Sequence, residues 1–291
     1  MLIRVATPED NKALVELTRK AVMEGAVSVY IDRSPDFFSL NRVQGDPSVT
    51  LVAEDNGTVV GCISAAWRRG RFRGREVQLL YTGDMKVDPI FQDCGVGRLL
   101  SMGLAEFPKK DPVFRYDIRS SLVLEGNLRG RRTTRGFGSV PGSVPAGFFT
   151  LYQFPTYFPL LGRSHDYEIR TATQPDIADV VNLLDQQYRD YDLAPIFEEE
   201  SFLRDMAWSE GYSPHDIFLA TGNEKIVACL GLWDQTPIKR PVVIGYRPWM
   251  RAVLVLFRAL EGMVRIPRMS GLGEPVKVGF ARHLACLPGH E

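Results

Sequence analysis

Residues 92–98, Gln-Asp-Cys-Gly-Val-Gly-Arg, set Gly95 and Gly97 two positions apart, directly before a segment in which Leu99, Leu100, Met102, Leu104 and Phe107 follow a helical spacing. Glycine weakens a helix interior but lets the chain turn sharply just ahead of one. The first amides of a helix have no partners inside it, and with the helix dipole they attract negative charge. Two bare glycines there clear the approach for a diphosphate. The same pair also serves a plain turn, so alone the loop indicates an anion of no particular kind. It is not a Walker loop, since no GK[ST] follows, and its place after two hairpin strands does not suit a dinucleotide fold.

Other chemistries lack their residues. His165, His215, His283 and His290 show neither HxxxH nor HxH spacing and have no cysteine close enough to complete a set, so no metal site is expected. No GxSxG elbow occurs, and Cys94 has no histidine adjoining it in sequence, so it reads as a small side chain filling the loop.

The elements that must carry the loop emerge from a repeat. "IRVATPED" at Ile3 recurs as "IRTATQPD" at Ile169, and "AEDNGTVVGCI" from Ala53 is answered by "ATGNEKIVACL" from Ala220, both at nearly the same offset. Each copy opens with a short strand and a helix start, Thr7 before Pro8, Glu9 and Asp10, then Thr173 before Pro175 and Asp176. Leu14, Leu17, Ala21 and Val22 supply one helical stripe, and Ile177, Val180, Val181 and Leu184 the other. In the first copy Asn56 and Gly57 join two strands as a hairpin, because that pair accepts positive φ angles. A strand over residues 76–87 leads into the glycine loop, followed by a helix to about Phe107, a strand near 116–123, a short helix from Asn127 and late strands over 148–154. The second copy departs after Trp233: a long apolar helix, read as buried and amphipathic, precedes the strand "EPVKVGFARHLACL", and the sequence leaves open whether this unit is truncated or never completes its sheet.

This order predicts an α/β (α+β) fold, a mixed, mostly antiparallel sheet flanked by helices, built twice in tandem. The expected division is a first domain over 1–154, a linker over 155–167 and a degenerate or truncated second domain over 168–291. Thirty-five basic and thirty-five acidic residues cancel, so no global field draws the chain to nucleic acid or an anionic membrane. The clusters "WRRGRFRGRE" and "RGRRTTR" read as solvated hairpin and helix arginines. Four scattered cysteines and no leader-like N-terminus suggest reduced thiols in a cytoplasmic protein.

"MKVDPIFQDCGVGRLLSMGL" resembles the signature of the GNAT acyltransferase superfamily, with Gln92, Gly95 and Gly97 at the [QR]-x-x-G-x-[GA] positions. Asn127 and "RGF" at Arg135 are similar to later elements of that family, and the likeness covers residues 3–154, the second copy more weakly. The resemblance implies transfer of an acyl group from acetyl-CoA, an acyl-donor cosubstrate, to a small-molecule or peptide amine by direct attack. The loop amides of Gln92, Asp93, Cys94, Gly95, Val96, Gly97 and Arg98 would then hold the pyrophosphate. Main-chain groups of Met85, Lys86 and Val87 would pair with the pantetheine arm where the strand splays from its neighbour, with Asn127 near the pantetheine or sulfur. Met85 N–H would polarise the carbonyl, and Asp84 would take the amine proton, with Tyr81 as its alternative. The family often has a tyrosine in the helix after the asparagine; Thr133 and Thr134 stand there, so Tyr152 or water would supply the leaving thiolate's proton. No nucleic-acid or membrane partner is expected, a homodimer is one arrangement open to the chain, and the second unit, lacking such a loop, would shape the acceptor site or the domain pairing and bind no CoA. A non-catalytic acyl-CoA-binding or interaction module is the rival reading.

Overall fold

The computed structural model describes residues 1–137, 140–153, 167–222, 225–260 and 270–290. The first unit runs β1 (Leu2–Val5), α1 (Asn11–Lys20), β2 (Val27–Asp32), α2 (Ser39–Gln44), β3 (Ser48–Asp55), β4 (Thr58–Phe72), β5 (Arg75–Val87), α3 (Val96–Lys110), β6 (Ile118–Ser121) and α4 (Leu128–Thr134). The second runs β7 (Glu168–Thr171), α5 (Ile177–Tyr188), α6 (Glu199–Trp208), β8 (Ile217–Gly222), β9 (Lys225–Asp234), β10 (Arg240–Tyr246), α7 (Pro248–Leu260) and β11 (Gly279–Cys286). The sheets are ordered β1-β3-β4-β5-β6 and β11-β9-β8-β7, antiparallel except for the parallel β5–β6 pair.

The repeat has an atomic basis. Arg4 holds Asp10 through two bonds of 2.7 and 2.8 Å, and Arg170 holds Asp176 through two of 2.8 and 2.6 Å. Each aspartate also accepts the amide of the threonine that opens its turn, Thr7 and Thr173, both at 2.8 Å. Thus the same charged pair fixes the strand-to-helix corner in both units. Registers match as well: Ile3 faces Ala53 as Ile169 faces Ala220, and Val52 faces Cys62 as Leu219 faces Cys229. Even the bulges recur. Between the partners of Ser64 and Cys62 the β5 strand carries one extra residue, centred on Asp84 at φ 49°; between the partners of Gly231 and Cys229, β11 does the same around His283 at φ 53°. The thiols of Cys62 and Cys229 donate to the carbonyls of Asp84 and His283 at 3.3 and 3.2 Å.

The second unit differs by the segment between β9 and β11. There β10 leaves its own sheet and pairs antiparallel with β2, Arg240 opposite Asp32 and Tyr246 opposite Val27. This ribbon joins the two units. A second junction is made by the β4–β5 hairpin. Its arginines are not simply solvated: Arg71 pairs with Asp185 at 2.8 Å, Arg69 with Glu198 at 2.7 Å, and Arg71 N–H donates to Ala194 O at 3.0 Å. The backbones meet because Gly70 has no side chain; a Cβ there would stand 2.8 Å from Ala194 O and inside the Leu79 side chain. Gly70→Ala is therefore expected to cost about 1–3 kcal/mol of stability, read as a lower denaturation midpoint with faster proteolysis at the hairpin; an unchanged midpoint would argue against this junction.

Two sequence expectations are corrected. Residues 148–153 form no strand and leave Phe148, Phe149, Leu151 and Tyr152 exposed, and Phe154 lies outside the described residues with most of the expected linker. Helix α7 does form, but none of its described side chains is buried; Trp249, Val255 and Leu256 face outward because β10, which leads into it, has left the sheet. Among the described residues, no helix is long and apolar enough to cross a membrane.

Candidate active site

Strand β6 runs beside β5 only from the pair Leu79–Ile118 to the pair Thr82–Ser121. From Gly83 to Val87 that side of β5 has no strand partner among the described residues. The bulge at Asp84 lies at the point of divergence and sorts the side chains. Leu80, Met85 and Val87 pack on the α3 side with Leu100 and Leu104. Asp84 and Lys86 turn to the opposite face, where Tyr81 lies folded over Gly83, a Cβ on Gly83 standing 3.0 Å from its ring.

Helix α3 aims its N-terminus at the same place. Gly95 takes the left-handed conformation at φ 82° as the residue before the helix, which explains the glycine. Leu99 N–H reaches Gly95 O at 3.1 Å, while among the described residues no acceptor meets the amides of Gly95, Val96, Gly97 and Arg98. A Cβ on Gly97 would lie 3.5 Å from Met85 Sδ and 3.9 Å from Thr133 Cγ2, so this turn faces the unpaired β5 edge and α4 together. Val96 is buried as the plug beneath the loop. Gln92 Nε2 ties the loop back to Val87 O at 3.4 Å, and Asp93, at φ 62°, meets Arg129 at 3.3 Å. Cys94 is exposed, its thiol 3.6 Å from Gln92 O.

Asn127 caps α4, its Oδ1 accepting Gly130 N–H at 2.8 Å. The hydroxyls of Thr133 and Thr134 donate to the carbonyls of Gly130 and Arg131 at 2.7 and 2.9 Å, so α4 has no free acidic hydrogen at these positions.

Asp84 stands in a charged knot. Arg33 NH1 donates to it at 2.7 Å and Lys86 Nζ at 2.5 Å. Arg33 is 1% exposed and is also held by Phe37 O and Asn41 Oδ1. Burial alone would raise the Asp84 pKa; the charges of Lys86 and Arg33 and their hydrogen bonds outweigh it and hold the carboxyl well below the usual range. A carboxylate fixed in this way is a poor acceptor for an amine proton at neutral pH. Tyr81 is shifted the other way: burial, with the Asp84 charge adding, raises its phenol above the ordinary value against the opposing charge of Arg68. Nothing in the local sequence marks Arg33 as part of this site, since it arrives from the loop after β2. Lys239, the residue before β10, is the other group missed. Its ammonium lies 5.5 Å from the Phe280 ring centre, and burial lowers its pKa, the Asp84 charge opposing and the charges of Arg33 and Lys86 adding.

The corresponding bulge of the second unit is filled. Tyr212 Oη meets His283 Nδ1 at 2.9 Å, Arg282 Nε donates to His283 Nε2 at 3.2 Å, and burial, with Arg282 adding, pushes the His283 pKa down to about 3. After β11 the described chain makes a short turn, with no helix start aimed at the bulge.

The first unit thus sets a sheet opened at a bulge beside a row of unpaired helix-start amides. The Acetyltransferase (GNAT) family model matches residues 15–137, within the first unit. Among solved structures, Saccharomyces cerevisiae N-myristoyltransferase with bound myristoyl-CoA is 14% identical, covers 98% of this chain and 67% of its own, and has a TM-score of 0.57. That likeness extends the shared fold over both units. An aminoglycoside 6'-N-acetyltransferase from Acinetobacter haemolyticus is 16% identical over 53% of this chain and 100% of its own, TM-score 0.36. A putative acetyltransferase from Agrobacterium tumefaciens is 15% identical over 53% and 100%, TM-score 0.39. Comparison with curated protein sequences finds no match.

Proposed function

We propose that the chain transfers an acetyl group from acetyl-CoA to an amine, using the first unit, residues 1–154, for the cosubstrate. The observation that carries this reading is the meeting of the unpaired β5 edge with the four unpartnered amides of Gly95, Val96, Gly97 and Arg98. Those amides, with the rest of the 92–98 loop, hold the pyrophosphate; main-chain groups of Met85, Lys86 and Val87 hold the pantetheine arm, with Asn127 near it. Met85 N–H polarises the thioester carbonyl. The second unit, residues 168–291 beyond a linker at 155–167, covers the acceptor side and binds no CoA, consistent with its filled bulge.

Proton traffic is assigned by the two shifted groups. Asp84 serves as a fixed anion that holds Arg33 and Lys86. Tyr81 stays protonated at neutral pH and donates to the departing thiolate, and the proton released by the acylated amine returns through water to the Tyr81 phenolate. Tyr81→Phe should lower kcat about a hundredfold with CoA affinity unchanged, followed by release of free thiol; an unaltered kcat would remove Tyr81 from the chemistry. The whole reading is tested by incubating the protein with acetyl-CoA or myristoyl-CoA and a panel of amines. Acetyl transfer in preference to myristoyl transfer is the expected result, and transfer of the long chain alone would overturn the acetyl assignment.

The hydroxyls of Thr133 and Thr134, spent on helix carbonyls, favour a second reading, an acyl-CoA-binding module without turnover. Tight CoA binding with no thiol release against any amine would select it.

A further inference from the structure

We propose that the acceptor amine carries a carboxylate, which seats against Lys239 and Lys86 where the β2–β10 ribbon meets the bulge of β5. The inference rests on the acyltransferase reading for the amine, and on the charges of the ribbon for the carboxylate. Arg240 faces Asp32 as the last pair of that ribbon. Lys239 immediately precedes that pair and lies close enough to Asp84, Arg33 and Lys86 for their charges to act on it. Like charges so placed repel, and Lys239 is brought to Arg33 and Lys86 from the other unit of the chain.

The anions nearby are already committed. Asp84 is shared by Arg33 and Lys86 at 2.7 and 2.5 Å, and Asp32 is shared by Arg240 at 2.7 Å and Arg19 at 3.5 Å. Among the described residues, no carboxylate lies within ion-pair reach of Lys239. Three cations, Arg33, Lys86 and Lys239, therefore share the single charge of Asp84. Partly buried ammonium groups are costly without a counter-ion, and the lowered Lys239 pKa reflects that cost. The Phe280 ring supports the lysine from the second unit. Lys86 and Tyr81 share one face of β5, so a carboxylate held here would keep its amine beside the divergence of β5 and β6. A monoanion suits the site better than a dianion, because Asp84 sits among the same cations and repels added negative charge.

The test compares ω-amino acids of two to six carbons with the corresponding amides. Binding is measured by calorimetry and thermal shift on the full chain, with and without saturating CoA, and turnover by thiol release with acetyl-CoA. Wild type should bind at least one acid tenfold or more tightly than its amide. Lys239→Met keeps the stem over Phe280 and should reduce this preference to threefold or less with CoA affinity unchanged, while Lys239→Arg should restore it. Dipeptides with free and amidated C-termini separate a free amino acid from a chain end as the source; tighter binding of either free form supports the site. Equal binding of acid and amide throughout, or an undiminished preference in Lys239→Met, overturns it. A loss of kcat with the preference intact would make Lys239 a base and equally overturn it. Failure to bind CoA would refute the acyltransferase reading, whereas the acid-to-amide ratio in the CoA-free protein decides the carboxylate site on its own.

Discussion

Gly97→Asp should abolish CoA binding while leaving the fold intact or slightly firmer. The new side chain would leave the backbone 3.5 Å from Met85 Sδ and 3.9 Å from Thr133 Cγ2, contacts a Cβ accepts without rearrangement. A carboxylate in the first turn of α3 is favourable for the helix by about 0.3–1 kcal/mol, since it meets the positive end of the dipole. For a diphosphate the same group is ruinous. It competes for the unpartnered amides of Gly95, Val96, Gly97 and Arg98 and repels the ligand. A single charge pair about 4 Å apart costs about 4 kcal/mol at an effective dielectric near 20, or about a thousandfold in affinity. Calorimetric titration with CoA gives the affinity and circular dichroism the midpoint. Gly97→Ala, which adds bulk without charge, should lose far less. CoA bound by Gly97→Asp within tenfold of wild type would remove this loop from the cosubstrate site.

How much of this was legible in the sequence depended on how local its cause was. The glycine loop could be read because Gly95 must adopt a left-handed turn and α3 must begin immediately after it, both decided within a few residues. The repeat could be read because Arg4 with Asp10, and Arg170 with Asp176, close their corners over six residues. The Asp84 knot could not. Its bulge puts a non-glycine residue at positive φ, and one of its two cationic partners, Arg33, stands 51 residues earlier in the chain. Reading Asp84 as a base followed from its place near the divergence alone; of the two cations that hold it, Lys86 is on the same strand but Arg33 comes from another element. The hairpin arginines were misread for the same reason, because their partners Asp185 and Glu198 belong to the other unit. Residues 148–153 and α7 show the converse error: an apolar pattern foretells burial only when the fold supplies a surface.

The duplicated frame also allows the two units to be compared at the bulge. Both have the thiol-to-carbonyl contact and the bulge, so neither feature is specific to the cosubstrate. What separates them is what occupies the face beside the bulge. In the second unit Tyr212, His283 and Arg282 bond to one another and fill it. In the first, the corresponding face is lined by charges that need partners and is bordered by the β2–β10 ribbon. On the proposed reading, the second unit contributes the ribbon in place of a cosubstrate site of its own.

Arg33→Met should be the most destabilising single change at this junction. The guanidinium is buried and holds Asp84 at 2.7 Å, Asn41 at 3.2 Å and the Phe37 carbonyl, so its removal strands a buried carboxylate with only Lys86 and frees a carbonyl beneath it. Removing one partner of a buried ion pair costs about 3–5 kcal/mol, and a drop of about 10 °C in melting temperature is expected from that range. The pH dependence gives a second, independent signature. The folded-state pKa of Asp84 is lowered, so its stabilisation is fully present above the unfolded value near ~3.9 and is lost as pH falls below it toward the folded value. Wild type should therefore lose stability below about pH 4, and Arg33→Met should lose less over the same interval because part of the Asp84 shift has already gone. Urea midpoints measured from pH 7 down to pH 2.5 in both proteins check the two effects together. A variant within 1 kcal/mol of wild type at pH 7, or one with an unchanged acid slope, would show that Arg33 and Asp84 are neighbours without being partners.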